Sequence, residues 1–155
     1  MALTHKYPEP PACSRARTTF GTLNRSQLMA RVRSSGNRTT ELRMIQLLKE
    51  HGVTGWRRAS GLIGKPDFVW REQRVVLFVD GCFWHGHDCD RNLRPAKNKK
   101  FWESKIKINH HRDRFVVNTL RSHGWHVVRL WECMLVKQPA RCIASLMRVL
   151  TATPR

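Results

Sequence analysis

Apolar positions along this chain recur with two periods, and the switches between them outline its elements. Leu42, Ile45 and Leu48 follow Thr39 and Thr40, either able to cap, with Glu41 in the first turn, so a helix is expected from there to a stop near Gly52. A shorter helix is expected over 26–32, where Leu28, Met29 and Val32 share a side, before the break Ser34-Ser35-Gly36-Asn37. Strands are expected over 54–58, 67–71 and 74–80, the last two joined by a tight turn at Glu72-Gln73. Val75 to Val79 are apolar without interruption, which marks a central strand. The helical period returns over 99–122 and ends at His123-Gly124, and 125–131 reads as a second buried strand that keeps Trp125 and Trp131, like Trp56, in the core. Pro139 opens a last helix with Ile143, Leu146, Met147 and Leu150 on its apolar side. This order implies an α/β or α+β sheet with helices on its faces, in which the strand after the long helix lies parallel to an earlier one.

Length adds that one scaffold must carry everything. The 155 residues suit a single domain over 23–155, preceded by a flexible, Pro-rich basic arm over 1–22. Charge adds a partner class. With 29 Lys+Arg against 11 Asp+Glu the formal net charge is +18, which favours the phosphates of a nucleic acid over any neutral small molecule. Five widely spaced cysteines suit a reducing interior with a metal site better than a disulfide framework. No stretch approaches the roughly 18 apolar residues of a membrane span, and the N-terminus has no apolar signal core, so a soluble cytoplasmic protein is expected.

Candidate chemistry concentrates in the decapeptide Asp80-Gly81-Cys82-Phe83-Trp84-His85-Gly86-His87-Asp88-Cys89. Asp67 opens one expected strand and Asp80 closes its antiparallel neighbour, so both carboxylates can meet at one sheet end and hold Mg²⁺ against a phosphodiester. Pro66-Asp67 alone is a common turn dipeptide, but four of the eleven acids, Asp67, Asp80, Asp88 and Asp90, fall within 24 residues of a basic chain. His85 is placed to take a proton from water, with a zinc ligand or a hydrogen-bonded loop histidine as the plainer alternatives. Glu41 and Asp113 taken alone read as a helix-dipole partner and a solvated ion-pair partner. His87 and Cys89 lie close together and Cys133 follows the 125–131 strand, a donor set suited to tetrahedral Zn²⁺, with Asp88, Asp90, a residue near Ala59 or water as fourth ligand. The pairs Phe83-Trp84 and Phe101-Trp102 flank a loop carrying Arg91, Arg94, Lys97, Lys99 and Lys100, a mixture able to stack on bases while gripping phosphates.

Taken together, Gly64-Lys65-Pro66-Asp67-Phe68-Val69, the string from Val79 to Cys89, Phe101-Trp102-Glu103-Ser104-Lys105-Ile106 with Asn109 and Arg112-Asp113, and Gly124-Trp125 leading to Trp131-Glu132-Cys133 resemble the very-short-patch repair (Vsr) DNA mismatch endonucleases in order and spacing, over roughly residues 24–136. The resemblance implies a fold like that of the PD-(D/E)xK restriction endonucleases and a Mg²⁺-dependent nick 5′ of the thymine in a T:G mismatch left by 5-methylcytosine deamination. It implies Asp67 and the Val79 carbonyl as Mg²⁺ contacts, His85 as catalytic histidine, and Asp80, Glu41 and Asp113 beside them. It implies Phe83, Trp84, Trp102 and Met29 as DNA wedges, with Lys65 and Asn109 among the DNA-contacting set. It implies His87, Cys89 and Cys133 as structural zinc ligands, a monomer acting on duplex DNA in the bacterial cytoplasm, and links to a cytosine-5 methyltransferase and mismatch-repair proteins. Two positions depart from some members: Asp80 stands where they carry histidine, and Ala59 lies near where a carboxylate completes their zinc shell. The alternatives are a nuclease of the same fold with another specificity and a non-catalytic, zinc-stabilised DNA-binding module.

Overall fold

The computed structural model describes residues 39–58, 61–90 and 98–153, all within the compact unit Ser34–Arg155. The expected arm over 1–22, the boundary at 22/23, the 26–32 helix with Met29, and Ala59, Arg91, Arg94 and Lys97 lie outside the described residues.

Among the described residues seven elements follow one another: α1 (Glu41–Glu50), β1 (Phe68–Trp70), β2 (Val75–Asp80), α2 (Lys99–Ser122), β3 (His126–Trp131), α3 (Glu132–Lys137) and α4 (Pro139–Ala152). The sheet has the order β1-β2-β3, with β1 antiparallel and β3 parallel to the central β2. A parallel partner needs a crossover, and α2 supplies it, as the apolar run of β2 and the long helical period imply.

Side-chain parity sorts the strands onto two cores. Phe68, Trp70, Val75, Leu77, Val79 and Leu130 pack with Met44, Leu47 and Leu48 of α1, Leu135 of α3 and Ile143 and Leu146 of α4. The alternate residues Val69 and Val76 pack with Val116 and Leu120 of α2, flanked by Phe78 and Val127. The sheet is thus covered on both faces, which is why β2 carries no polar position before Asp80. At the β1–β2 turn Arg74 takes a left-handed conformation (φ 51°). Its guanidinium donates to the carbonyls of His123 and Gly124 and lies over the Trp125 ring, fastening the turn to the end of α2.

Four expectations change. The 54–58 stretch is not a strand but a single bridge from Arg57 to Val69, because Gly55 at φ 79° breaks the extended run. Among the described residues the β3 strand is an edge, and it is mostly half-exposed rather than buried. The fully buried tryptophan is Trp70, while Trp56 and Trp125 are half-buried but pack against the two cores as expected, and Trp131 is half-buried against His87. On α4 Met147 is exposed, and the short helix α3, which carries Cys133, had no periodic signal long enough to announce it.

Candidate active site and metal centre

The same parity that splits the core also assembles the carboxylates. Phe68 pairs with Leu77 and Val76 faces α2, so Asp67 and Asp80 both belong to the α2 side of the sheet. Phe78 pairs with Arg129 in the parallel register, which puts Arg129 on that side too. Along α2 the buried stripe Asn109, Val116, Leu120 continues through half-buried Asp113, which sits four residues after Asn109 and meets the sheet where the apolar packing ends. A cleft results, lined by Gly64, Lys65, Asp67, Asp80, His85 and Arg112 among others, with Asp113 and Arg129 in its wall.

Within it, Asp67 Oδ2 accepts a 2.7 Å hydrogen bond from the Val79 N–H. Burial pushes the Asp67 carboxyl above its usual range, aided by the charge of Asp80 and opposed by the Val79 N–H and by Arg58. His85 is held from both sides. Its Nδ1 is 2.6 Å from Asp113 Oδ2 and its Nε2 is 3.5 Å from Asp80 Oδ1. Burial pulls Asp113 upward, but His85 and Arg129 outweigh it and hold this carboxyl below the usual range.

Arg129, absent from the sequence expectations, donates from Nε to Asp80 Oδ2 at 2.6 Å and lies 3.0 Å from Asp113 Oδ2 through its terminal nitrogen. Burial lowers its pKa, but the two carboxylates more than offset this and raise it. The signal for it was an arginine interrupting the apolar run from Val127 to Trp131. Glu41 does not line this cleft: it is buried at the start of α1 and ion-paired with Arg58.

Residues 81–87 carry the remaining chemistry. His87 N–H donates to the Cys82 carbonyl, and Gly86 turns the loop at φ 58°, where a Cβ would meet Ile106 of α2 at 2.6 Å. Asn109 is buried and its amide donates to the Trp84 carbonyl at 2.7 Å, so it braces this loop instead of facing solvent. Phe83, Trp84, Trp102 and Phe101 form an edge-to-face cluster with centroids 5.1 to 6.0 Å apart, in which Phe101 is exposed. Lys65 is exposed at the cleft rim.

Behind the loop, ligand atoms of Cys82, His87, Cys89 and Cys133 all lie within 4.8 Å of one another. Among the described residues the fourth donor is Cys82 rather than Asp88 or Asp90, and Asp90 instead pairs with Lys137 at 2.5 Å. Three thiols and one imidazole, with His87 stacked on Trp131 at 4.3 Å, make a closed set that can hold a metal ion. Burial pushes the Cys82 thiol up to about 12 and raises Cys133 as well, so a bound cation would have to displace their protons.

Known proteins are similar to this chain in sequence. The family described as DNA mismatch endonuclease Vsr matches residues 18–91. The chain is 42% identical over 95 residues to DNA mismatch endonuclease Vsr of Escherichia coli (strain K12), an alignment covering 61% of each protein and so less than two thirds of that relative. It is 39% identical over 111 residues to Type II nicking enzyme V.XorIIP of Xanthomonas oryzae pv. oryzae, covering 72% of this chain and 81% of the relative. It is 34% identical over 130 residues to Type II nicking enzyme V.NmeAIP of Neisseria meningitidis serogroup A, covering 84% and 91%. On these matches the chain belongs to the Vsr DNA mismatch endonuclease family.

Proposed function

We propose that this protein is a strand-nicking DNA mismatch endonuclease, cutting 5′ of the thymine in T:G mismatches by Mg²⁺-dependent hydrolysis. The observation that carries the reading is the cleft in which Asp67, Asp80, Asp113 and His85 converge, in a family member with a net charge of +18. An antiparallel strand pair with Asp67 just ahead of one strand and Asp80 at the end of the other, followed by a helix and a parallel strand, supports a core of the PD-(D/E)xK restriction-endonuclease type.

Asp67 and the carbonyl of Val79 are the residues that would hold Mg²⁺, since both are oxygen donors and the Val79 N–H ties the two together. When bound, the ion would offset negative charge gathering on the phosphate. His85 does the proton work. With Nδ1–H donated to Asp113, the lone pair stays on Nε2, which takes a proton from water as the water oxygen bonds phosphorus and the ester P–O bond breaks. Asp113 and Asp80 stabilise the imidazolium so formed, and the departing oxygen is protonated from solvent. Phe83, Trp84 and Trp102, already stacked edge to face, would enter the duplex beside the mismatch, as Met29 would from its own segment, while Lys65 reaches a phosphate and Asn109 fixes the loop. Three cysteines and a histidine suit Zn²⁺ in a structural role.

One asymmetric lesion needs no two-fold partner, so the enzyme acts as a monomer, in the bacterial cytoplasm and beside a cytosine-5 methyltransferase and mismatch-repair proteins. The test is strand-resolved cleavage of T:G duplexes with varied flanks, with Mg²⁺ present or chelated, against C:G controls. Equal cutting of C:G would refute mismatch specificity, and cutting in the presence of chelator would refute the metal requirement.

A further inference from the structure

We propose that Arg129 is a positioning residue, whose guanidinium locks Asp80 and Asp113 on either side of His85 and so makes Asp80 an anchor of this lock and not a metal ligand. The four side chains close a ring. Arg129 donates to Asp80 Oδ2 at 2.6 Å and lies 3.0 Å from Asp113 Oδ2; Asp113 Oδ2 also lies 2.6 Å from His85 Nδ1; and His85 Nε2 faces Asp80 Oδ1 at 3.5 Å. Each carboxylate thus meets both the arginine and the histidine. An imidazole on a loop, free to turn about its own bonds, has its plane set by Asp113 of α2 at Nδ1, while Asp80 of β2 stands by to meet Nε2 once that nitrogen has taken its proton.

The position argues for a purpose beyond packing. Arg129 pairs with Phe78, its guanidinium lies 5.9 Å from the centroid of that ring, and Val127, the preceding residue on the same sheet face, packs with the α2-side core. An aliphatic residue here would extend the α2-side core without the desolvation that a guanidinium incurs. Arginine suits the place because its planar fork reaches two carboxylates at once, which an ammonium group does not do with fixed geometry. The consequence for Asp80 is direct. One of its oxygens is engaged by Arg129, and turning it to a metal would leave a largely buried cation with one partner fewer.

The activity arm rests on the nicking reading above; the spectroscopic arm does not. Arg129→Gln, Arg129→Lys and Asp80→Asn are compared with wild type in the zinc-loaded full chain, with melting temperature as the folding control. On a T:G duplex, Arg129→Gln should lower kcat by about thirtyfold or more with KM for DNA changed less than about threefold, since the loss falls on the reacting geometry. Arg129→Lys should recover part of kcat, roughly tenfold over the glutamine variant, because charge returns without the fork. Asp80→Asn should share the kcat loss without moving the Mg²⁺ concentration for half-maximal rate. In a ¹⁵N-resolved proton spectrum recorded without Mg²⁺ or DNA, the His85 Nδ1–H resonance should be protected in wild type and exchange-broadened in Arg129→Gln. The assignment is overturned if Arg129→Gln keeps wild-type kcat, or if its loss lies in KM alone. It is overturned too if Asp80→Asn raises the half-maximal Mg²⁺ concentration by about tenfold, as a lost ligand would. An unchanged His85 resonance in a folded Arg129→Gln protein has the same effect. Failure of wild type to nick would refute the functional reading while leaving the His85 resonance to decide this one.

Discussion

Replacing Asp113 by asparagine removes one charge from the His85 pair while keeping shape and a hydrogen-bond acceptor. The two side chains are only 15% and 16% exposed and their polar atoms 2.6 Å apart. Charge centres about 4 Å apart at an effective permittivity of about 20 attract by about 4 kcal/mol. That attraction exists only once His85 has taken the proton, so its loss falls on the transition state. At about 1.4 kcal/mol per tenfold, this corresponds to a drop in kcat of up to about a thousandfold. The asparagine oxygen can still accept from Nδ1–H, worth about 1 kcal/mol, which brings the expected loss to between about a hundredfold and a thousandfold. Single-turnover nicking of a T:G duplex at saturating enzyme measures it, with duplex affinity from fluorescence anisotropy expected to stay near wild type. A loss below about threefold in a protein that still binds DNA would refute the role given to Asp113. The same variant carries a pH signature. Because Asp113 is held below its usual range, its contribution to stability is complete above the unfolded value of about 3.9 and is lost as pH falls through the lower folded value. Asp113→Asn should therefore flatten the acid limb of the stability profile below about pH 4.

Asp67 has the opposite sign: burial raises it, so its ionisation costs stability as pH climbs past the unfolded value, and Asp67→Asn should melt higher than wild type at neutral pH without divalent ion while losing nicking. Cys82→Ser or chelation of zinc should lower the melting temperature and abolish nicking through the 81–87 loop, and adding Zn²⁺ to metal-free protein in weak buffer should release protons, readable with a pH indicator. Gly64→Ala should destabilise the fold by about 1 to 3 kcal/mol in denaturant titration, since its Cβ would run into the Val116 side chain and the residue sits at φ 76°. Trp84→Ala should weaken binding to a T:G duplex by about 1 to 3 kcal/mol while matched duplex affinity changes less, as measured by competition anisotropy.

Much of the fold was legible because its signals are local. The uninterrupted apolar run of β2, the helical period over Lys99–Ser122 and the proline at the start of α4 each report a burial pattern that survives in one dimension. Edge exposure does not, which is why β3 looked as buried as β2, and Gly55 carried a positive φ that composition alone does not reveal. In the site, Asp67, Asp80 and His85 were visible because they cluster near one strand end. Cys82 lies in the same decapeptide as His87 and Cys89 but carries no ligand spacing of its own. Its membership depends on the Cys82–His87 turn and on Cys133 being brought back by the parallel strand.

By itself, then, the sequence determined the cationic surface, the apolar periods, and which side chains with metal or proton chemistry were available. Tertiary structure decided which of them meet. Arg129 stands 49 residues from Asp80, and Asp113 stands 28 from His85. Their encounter depends on the parallel register of β3 on β2 and on the face that α2 turns to the sheet, because parity and helical phase choose neighbours only after distant segments have paired.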